Sequence, residues 1–171
     1  MNVIQAENRY VFEKNLSAFY DRCYENYIFN NIYAFIYQGI YDDVRTNVKM
    51  SKSNIYKVVL PHTLKEIKSN FCSDCKNLKY IDLSNVKHIG DNAFSGCTSL
   101  KSLNMYNVIS IGENAFFGCK NLETISLSQV EDIHSTAFTN CNINMDIYLY
   151  NVRSEIVDYF TARGFNNIYV E

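Results

Sequence analysis

Cysteine and apolar residues recur every 22 positions through most of this chain, and this period constrains the fold more than any other feature. One series is made of cysteines and six are apolar, and chance does not align so many positions. The series are Cys75, Cys97, Cys119, Cys141; Leu78, Leu100, Leu122; Ile81, Leu103, Ile125, Ile147; Leu83, Met105, Leu127, Leu149; Leu64, Val86, Val108, Val130, Val152; Ile67, Ile89, Ile111, Ile133; and Phe94, Phe116, Phe138.

A period of about 22 residues is typical of one coil of a solenoid. Within a coil, the alternation Ile81-x-Leu83 predicts a short strand. Equal positions of successive coils then stack about 4.8 Å apart, so each apolar series forms a ladder through one core. A single coil cannot bury its own apolar face, and several must stack to be stable.

The corner positions of the repeat support the same interpretation. Gly96 and Gly118 are matched one period away by Asp74 and Asn140, and these residue types tolerate a left-handed backbone. We therefore expect positive φ at all four. A second series is polar, and it predicts a stacked amide ladder that bonds the backbone of a buried corner. Its members are Asn85, Asn107, Gln129 and Asn151.

The motif Ile89-Gly90-x-x-Ala93-Phe94-x-Gly96-Cys97 recurs from Ile111 to Cys119 and, degraded, from Ile133 to Cys141. This pattern resembles the BspA-like leucine-rich repeat over about residues 55–152. The first coil departs from it, because Cys72 takes the phenylalanine position. The resemblance implies a right-handed solenoid with a parallel strand face, protein-binding roles such as adhesion or host contact, and no catalytic residues. We expect an α/β repeat of about four coils.

Residues 153–171 break the period and predict a cap over the last coil. Ile156, Val157 and Phe160 have helical spacing, and Ser154 can cap the start of that helix. The following glycine and phenylalanine, at 164 and 165, match a helix C-cap, and residues 168–170 suggest a short strand. Solenoid ends need such covers.

Residues 1–54 predict a helical N-terminal cap. An apolar stripe with helical spacing from Val11 to Tyr27 indicates one helix, and Ile32, Phe35 and Ile40 suggest a second. The pair either packs on the first coil or serves as a docking segment for a partner. An F-box is disfavoured, because its usual Leu-Pro pair occurs here at Leu60, inside the first coil.

Charge and hydropathy narrow the classes of partner. A formal net charge of −2 and a pI near 5.9 argue against nucleic acid and anionic membranes, which attract basic surfaces. The first residues carry no apolar run of signal-peptide length, and no stretch approaches a membrane span. We expect a cytoplasmic protein, or a surface or secreted one if the chain is a fragment.

Catalytic, metal and cofactor sites are not predicted. Cys72 and Cys75 form a C-x-x-C, which suits a thiol or zinc function, but Cys75 belongs to the repeat ladder and core packing is the preferred interpretation. An interior row of unoxidised thiols fits a reducing compartment. His62, His88 and His134 fall at different phases of the repeat, so the period alone predicts no Ser/His/Asp triad.

The outward positions of the strand face are the predicted partner-binding surface. They are mostly small polar residues with tyrosines at intervals, a composition common in binding surfaces, although it also suits a merely solvated sheet. The candidate contact residues are Tyr80, Asp82, Asn104, Tyr106, Ser126, Tyr148 and Tyr150. The hypothesis is a non-enzymatic scaffold for a protein or peptide. The alternative is a structural element that self-assembles into a homo-oligomer through its coil ends.

Overall fold

A computed structural model describes residues 33–35, 55–60 and 64–171, which form eleven strands and one helix. The strands are β1 (Tyr33–Phe35), β2 (Lys57–Val59), β3 (Glu66–Ile67), β4 (Tyr80–Ile81), β5 (His88–Ile89), β6 (Ser102–Met105), β7 (Ser110–Ile111), β8 (Thr124–Leu127), β9 (Asp132–Ile133), β10 (Asp146–Leu149) and β11 (Ile168–Val170), and the helix is α1 (Ser154–Thr161).

All strand pairs are parallel, and they form three sheets. The first sheet has the order β1-β2-β4, the front sheet β6-β8-β10-β11 and the side sheet β3-β5-β7-β9. Across the front sheet Asn104, Ser126 and Tyr148 are register partners, so equal positions of successive coils lie side by side. The chain forms a solenoid of about five turns, one more than the sequence predicted.

The apolar series form the core, as predicted. Leu78, Leu100 and Leu122 are each fully buried, and Phe116 stacks between Phe94 and Phe138 with ring centroids 5.5 and 5.1 Å apart. Within the described residues no polar or charged side chain is buried. Burying one large apolar side chain contributes roughly 1.5–3 kcal/mol, so the ladders supply most of the stabilisation.

The corner that links the side sheet to the front sheet also bonds from coil to coil. For one coil the bonds are Asn92 N–H to Glu113 O, Phe94 N–H to Ala115 O and Gly96 N–H to Phe117 O, each 2.8 Å. The predicted left-handed positions are confirmed. The φ angles are +63° at Asp74, +73° at Gly96, +71° at Gly118 and +59° at Asn140.

A second left-handed series lies earlier in each corner and was not predicted. Asn70, Asn92 and Asn114 have φ of +60°, +55° and +52°, and they too are 22 residues apart. The predicted buried amide ladder is wrong, because its four members are all exposed. Asn107 alone of these four shows a side-chain bond to the preceding coil, from Nδ2 to Ser84 O at 2.6 Å. The corner is exposed, so water can satisfy the others.

The helix predicted around Phe35 is wrong at the residues that the structure describes there. Tyr33–Phe35 is strand β1, which pairs in parallel with β2. Pairing with the open edge of β2 explains why an extended backbone replaces the helical one, since an edge offers unsatisfied N–H and C=O groups. The rest of the predicted helical cap at 1–54 lies outside the described residues.

The C-terminal segment completes another turn of the solenoid. Phe160, on α1, follows Phe138 by one period and packs against it with ring centroids 5.6 Å apart. Strand β11 pairs with β10, with Ile168 opposite Ile147. Helix α1 therefore takes the place of a corner, and β11 takes that of a front-sheet strand.

The two ends of α1 differ in how well the sequence predicted them. The predicted cap at Ser154 is wrong, because the N-cap residue is Arg153 and Ser154 is already helical. The glycine C-cap is present: Gly164 has φ of +81° and its N–H donates to Thr161 O, while Phe165 N–H donates to Phe160 O. These two bonds form a Schellman motif.

Candidate partner-binding face

The structure brings five of the seven predicted contact residues together on the outward side of the front sheet. Asn104, Ser126 and Tyr148 form one row across β6, β8 and β10. Tyr106 and Tyr150 follow β6 and β10 directly. We call these five residues, together with Tyr169 of β11, the tyrosine face.

Tyr80 and Asp82 belong to the coil before β6 and lie outside the front sheet. Tyr80 is in β4, which belongs to the first sheet, and its ring packs edge-on against Tyr56 with centroids 5.3 Å apart. The carboxylate of Asp82 accepts the backbone N–H of Ser84 at 2.9 Å. Both side chains are exposed, but neither belongs to the front sheet.

Four tyrosines of the tyrosine face are arranged as two ring pairs. Tyr148 and Tyr169 stack with centroids 4.9 Å apart and planes 17° apart. Tyr106 and Tyr150 meet edge to face at 5.6 Å, although they are two coils apart in sequence. The small side chain of Ser128, in the coil between them, leaves room for this contact.

Mutual packing holds these rings without burying them. Tyr106 and Tyr169 keep 40% and 46% of their surface exposed, whereas Tyr148 and Tyr150 are half-buried. Partial burial raises the pKa of Tyr150, and the neighbouring Tyr106 and Glu171 add to that effect. The phenol therefore stays neutral at physiological pH.

Tyr169 is the member of the tyrosine face that the sequence did not predict. It is the register partner of Tyr148, but it follows Tyr148 by 21 residues. A constant step of 22 residues therefore does not predict it. Aromatic residues at outward positions of the terminal strand were the available signal.

An ion pair borders the face at the start of β6 and β8. Lys101 Nζ lies 2.7 Å from Glu123 Oε1, and this hydrogen bond raises the pKa of the lysine. Both side chains are more than half exposed, so the pair contributes little to stability. Asp146 accepts the amide of Asn167 at 3.2 Å at the same border.

The cysteine ladder has a structural role in the described residues. The thiols of Cys97, Cys119 and Cys141 donate to the backbone carbonyls of the preceding coil, at residues 72, 94 and 116, over 3.1–3.3 Å. Each of these carbonyls also accepts an N–H from its own coil. The thiol thus satisfies the second lone pair of a carbonyl inside the core.

One serine–histidine contact lies on the side sheet. His88 Nδ1 and Ser110 Oγ are 2.9 Å apart. The two residues are register partners and lie one period of the repeat apart in the sequence. The positions of the histidines within the repeat did not predict this contact. Glu66 is opposite His88 on β3, but its carboxylate pairs with Lys68 at 3.1 Å. An open sheet surface offers no enclosure that would exclude water from a reaction.

Metal-binding clusters and membrane-spanning helices are absent from the described residues. Among the described residues, no group of three or more histidine, cysteine, aspartate or glutamate side chains is placed to hold a metal ion. The one helix described, α1, is too short to cross a membrane.

Comparison with known proteins gives one match. A family model described as the BspA type leucine rich repeat region matches residues 42–161, with six copies of the repeat. The match reaches beyond residues 55–152 at both ends, and at the C-terminus it includes α1, in agreement with the extra turn. No curated protein and no solved structure matches the chain.

Proposed function

Because this chain belongs to the BspA-type leucine-rich repeat family, we propose that it is a non-enzymatic interaction scaffold whose tyrosine face binds a protein or peptide. Repeats of this kind commonly mediate protein interactions. The proposal depends mainly on one observation, the two packed but exposed tyrosine pairs on a single sheet.

Tyrosine pairs on a parallel sheet suit binding for a physical reason. A tyrosine ring offers a large apolar contact with a polar tip, and it loses little side-chain entropy on binding. Here the rings already contact one another, and the backbone beneath them is bonded on both sides in β8 and β10. Less ordering is therefore required when the partner docks, and this favours affinity.

The size of the face sets the kind of partner. An interface of standard size takes about 800 Å² from each protein, which would occupy most of a front sheet of four short strands. A peptide or one small domain matches this surface. The polar residues Asn104 and Ser126 would supply hydrogen bonds between the aromatic contacts.

Site-specific photo-crosslinking tests the proposal while the partner is unknown. A photoreactive phenylalanine replaces Ser126, at the centre of the tyrosine face, and in a second protein it replaces Ser110, on the side sheet. We expect the photoreactive residue at position 126 to crosslink one specific protein, and the photoreactive residue at position 110 not to crosslink it. Capture of the same protein equally from both positions would refute the assignment of the face.

The captured partner is then purified and its affinity measured by calorimetry. The triple variant Tyr106→Ala, Tyr148→Ala, Tyr150→Ala should bind at least about tenfold more weakly, because central tyrosines commonly cost more than 1 kcal/mol each on truncation. His88→Ala with Ser110→Ala is the matched surface control and should bind normally. A triple variant with unchanged affinity and an unchanged melting temperature would contradict the proposal.

A further inference from the structure

The last strand of the front sheet has an open edge. Asn167 O accepts from Ile147 N–H at 2.8 Å, and Glu171 N–H donates to Leu149 O at 2.9 Å. In a parallel pair alternate residues bond the same neighbour, so the backbone groups of Ile168 and Val170 point away from β10. Within the described part of the chain, β11 pairs with no strand on this side.

The side chains at this edge are also incompletely covered. Val170 is the register partner of Leu149, which is fully buried, yet 57% of Val170 is exposed. The apolar ladder of the core therefore continues to β11, where Val170 is its exposed last member among the described residues. An extended segment paired to β11 would both bond the outward backbone groups and cover Val170.

Charge is distributed unequally along the solenoid axis. Residues 55–110 carry seven lysines against four carboxylates, whereas residues 111–171 carry eight carboxylates against three cations. Two of those three cations are Arg153 and Arg163, whose guanidinium groups donate to the backbone carbonyls of Glu131 and Ser135. The C-terminal end of the solenoid is consequently acidic.

The carboxylates of the final turn are available to a partner. Glu155, Asp158 and Glu171 are exposed. The ion pairs within the described residues join Lys68 to Glu66 and Lys101 to Glu123, and they involve none of these three. A basic segment approaching this end would meet three exposed carboxylates that form no ion pair among the described residues.

We propose that the open edge of β11 is a strand-addition site for an extended basic segment of another polypeptide. Its backbone would bond Ile168 and Val170, an apolar side chain would cover Val170, and lysine or arginine side chains would approach the final-turn carboxylates. A second copy of this chain fits the edge poorly, since pairing two β11 edges would bring two acidic ends together. This site adjoins the tyrosine face at Tyr169 but differs from it in using the outward backbone groups of Ile168 and Val170 instead of the tyrosine rings.

The test uses the full chain and three synthetic peptides of equal length. The first alternates lysine with valine, the second replaces its lysines with glutamate, and the third is the lysine peptide with N-methylated alternate backbone amides. We expect the lysine peptide to bind at least about tenfold more tightly than either other peptide. Its binding should weaken severalfold from about 0.05 to about 0.5 M salt. Equal binding of the N-methylated peptide would overturn strand addition, and equal binding of the glutamate peptide would overturn the basic preference.

Two variants locate the binding at β11. Val170→Pro removes the outward N–H but keeps the β10–β11 bonds, and proline is tolerated on edge strands, so it should weaken binding of the lysine peptide about tenfold. Val170→Ile keeps both the N–H and the apolar side chain and should bind normally. Tyr106→Ala, at the opposite edge of the front sheet, should also bind normally, which distinguishes pairing at β11 from contact with the tyrosine rings. Unchanged binding by Val170→Pro would overturn the proposal, as would a concentration-dependent dimer that Val170→Pro abolishes, because the occupant would then be a second copy.

Discussion

At the residue scale, two glycines are required for different physical reasons. Gly90 has no room for a side chain, because an added Cβ would lie 2.7 Å from Ser69 N and 2.9 Å from Ile67 O in the preceding coil. A Cβ added at Gly118 would meet no atom within 4 Å, but the φ of this residue is +71°. Glycine is required at position 90 because two coils approach closely there, and it is favoured at position 118 because the backbone there is left-handed.

This difference predicts an order of stabilities. Gly90→Ala should lower the free energy of unfolding by about 2–3 kcal/mol, because neighbouring backbone must shift. Gly118→Ala should lower it by about 1 kcal/mol, the cost of a left-handed alanine. Urea unfolding of both variants measures the two values. Equal losses, or a larger loss at Gly118, would contradict this interpretation.

Buried thiols provide a second residue-scale prediction. Contact with the Cys75 thiol and burial raise the pKa of Cys97, and contact with Cys141 and burial raise that of Cys119. Protonated thiols are poor nucleophiles. In a Cys23→Ser background, iodoacetamide at pH 8 should therefore modify the half-buried Cys141 in preference to the four buried cysteines, as measured by peptide mass spectrometry. Rapid native-state modification of Cys97 or Cys119 would contradict it.

The same shifts predict how stability depends on pH. The folded state holds these thiol protons more tightly than the unfolded state, so the stabilisation is present at neutral pH and is lost as pH rises above the ordinary thiol pKa of 9.0. Burial raises the pKa of Tyr159 as well, so this residue also lowers stability as pH rises above its ordinary pKa of 10.0. Urea unfolding from pH 7 to pH 11 should show a plateau and then a fall. In the double variant Cys97→Ala, Cys119→Ala the free energy of unfolding should decrease less steeply just above the ordinary thiol pKa.

At the scale of elements, the phenylalanine ladder connects the corners of the coils to helix α1. Phe94, Phe116 and Phe138 lie in corners, whereas Phe160 lies on α1, yet each ring packs on the next. The helix has two buried side chains, Ile156 and Phe160. It is eight residues long, too short to be stable alone, so packing on the ladder stabilises it.

Neighbouring phenylalanines give a matched test of this ladder. Phe116→Ala should lower the free energy of unfolding by about 3–5 kcal/mol, because a fully buried ring between two others leaves a cavity. Phe117→Ala is the control, since 37% of its side chain is exposed, and it should cost less than half as much. Calorimetric melting of both variants measures the difference. Similar losses would show that the ring stack is not a main source of stability.

At the scale of the whole molecule, stability should follow nearest-neighbour rules. Each turn of the solenoid bonds to the turn before it and the turn after it, in the sheets and in the corners. Stability of such an array is the sum of the terms for each turn and for each interface between adjacent turns. The final turn has one neighbour among the described residues, so it should open at lower free energy than the central turns.

Hydrogen exchange on Phe160→Ala tests this arrangement. We expect faster exchange of the amides of α1 and β11, with little change in β6 and β7, because the lost contact lies at one end of the array. In Phe116→Ala the amides of turns on both sides should exchange faster. Uniform acceleration throughout the chain in Phe160→Ala would show that the solenoid unfolds as a single unit instead.

The 22-residue period was sufficient to predict the ladders and the left-handed corners at Asp74 and Asn140, because each depends on a position repeated in every coil. The parallel strands were implied by the family resemblance. The contact between Tyr106 and Tyr150 could not be predicted, since it depends on the orientation of two side chains on either side of a smaller residue. The N-cap of α1 and strand β1 were also missed. Both lie where the repeat degenerates, and there local patterns compete with pairing to a neighbouring coil.

The register of the sheets has a consequence for how such a chain can change in length. Inserting or deleting 22 residues leaves every ladder intact, whereas a single inserted residue moves all later side chains of a strand to the opposite face. Unequal recombination between repeats therefore yields foldable products when it adds or removes whole coils. The axial length of the solenoid can vary in discrete steps during evolution while its cross-section stays constant.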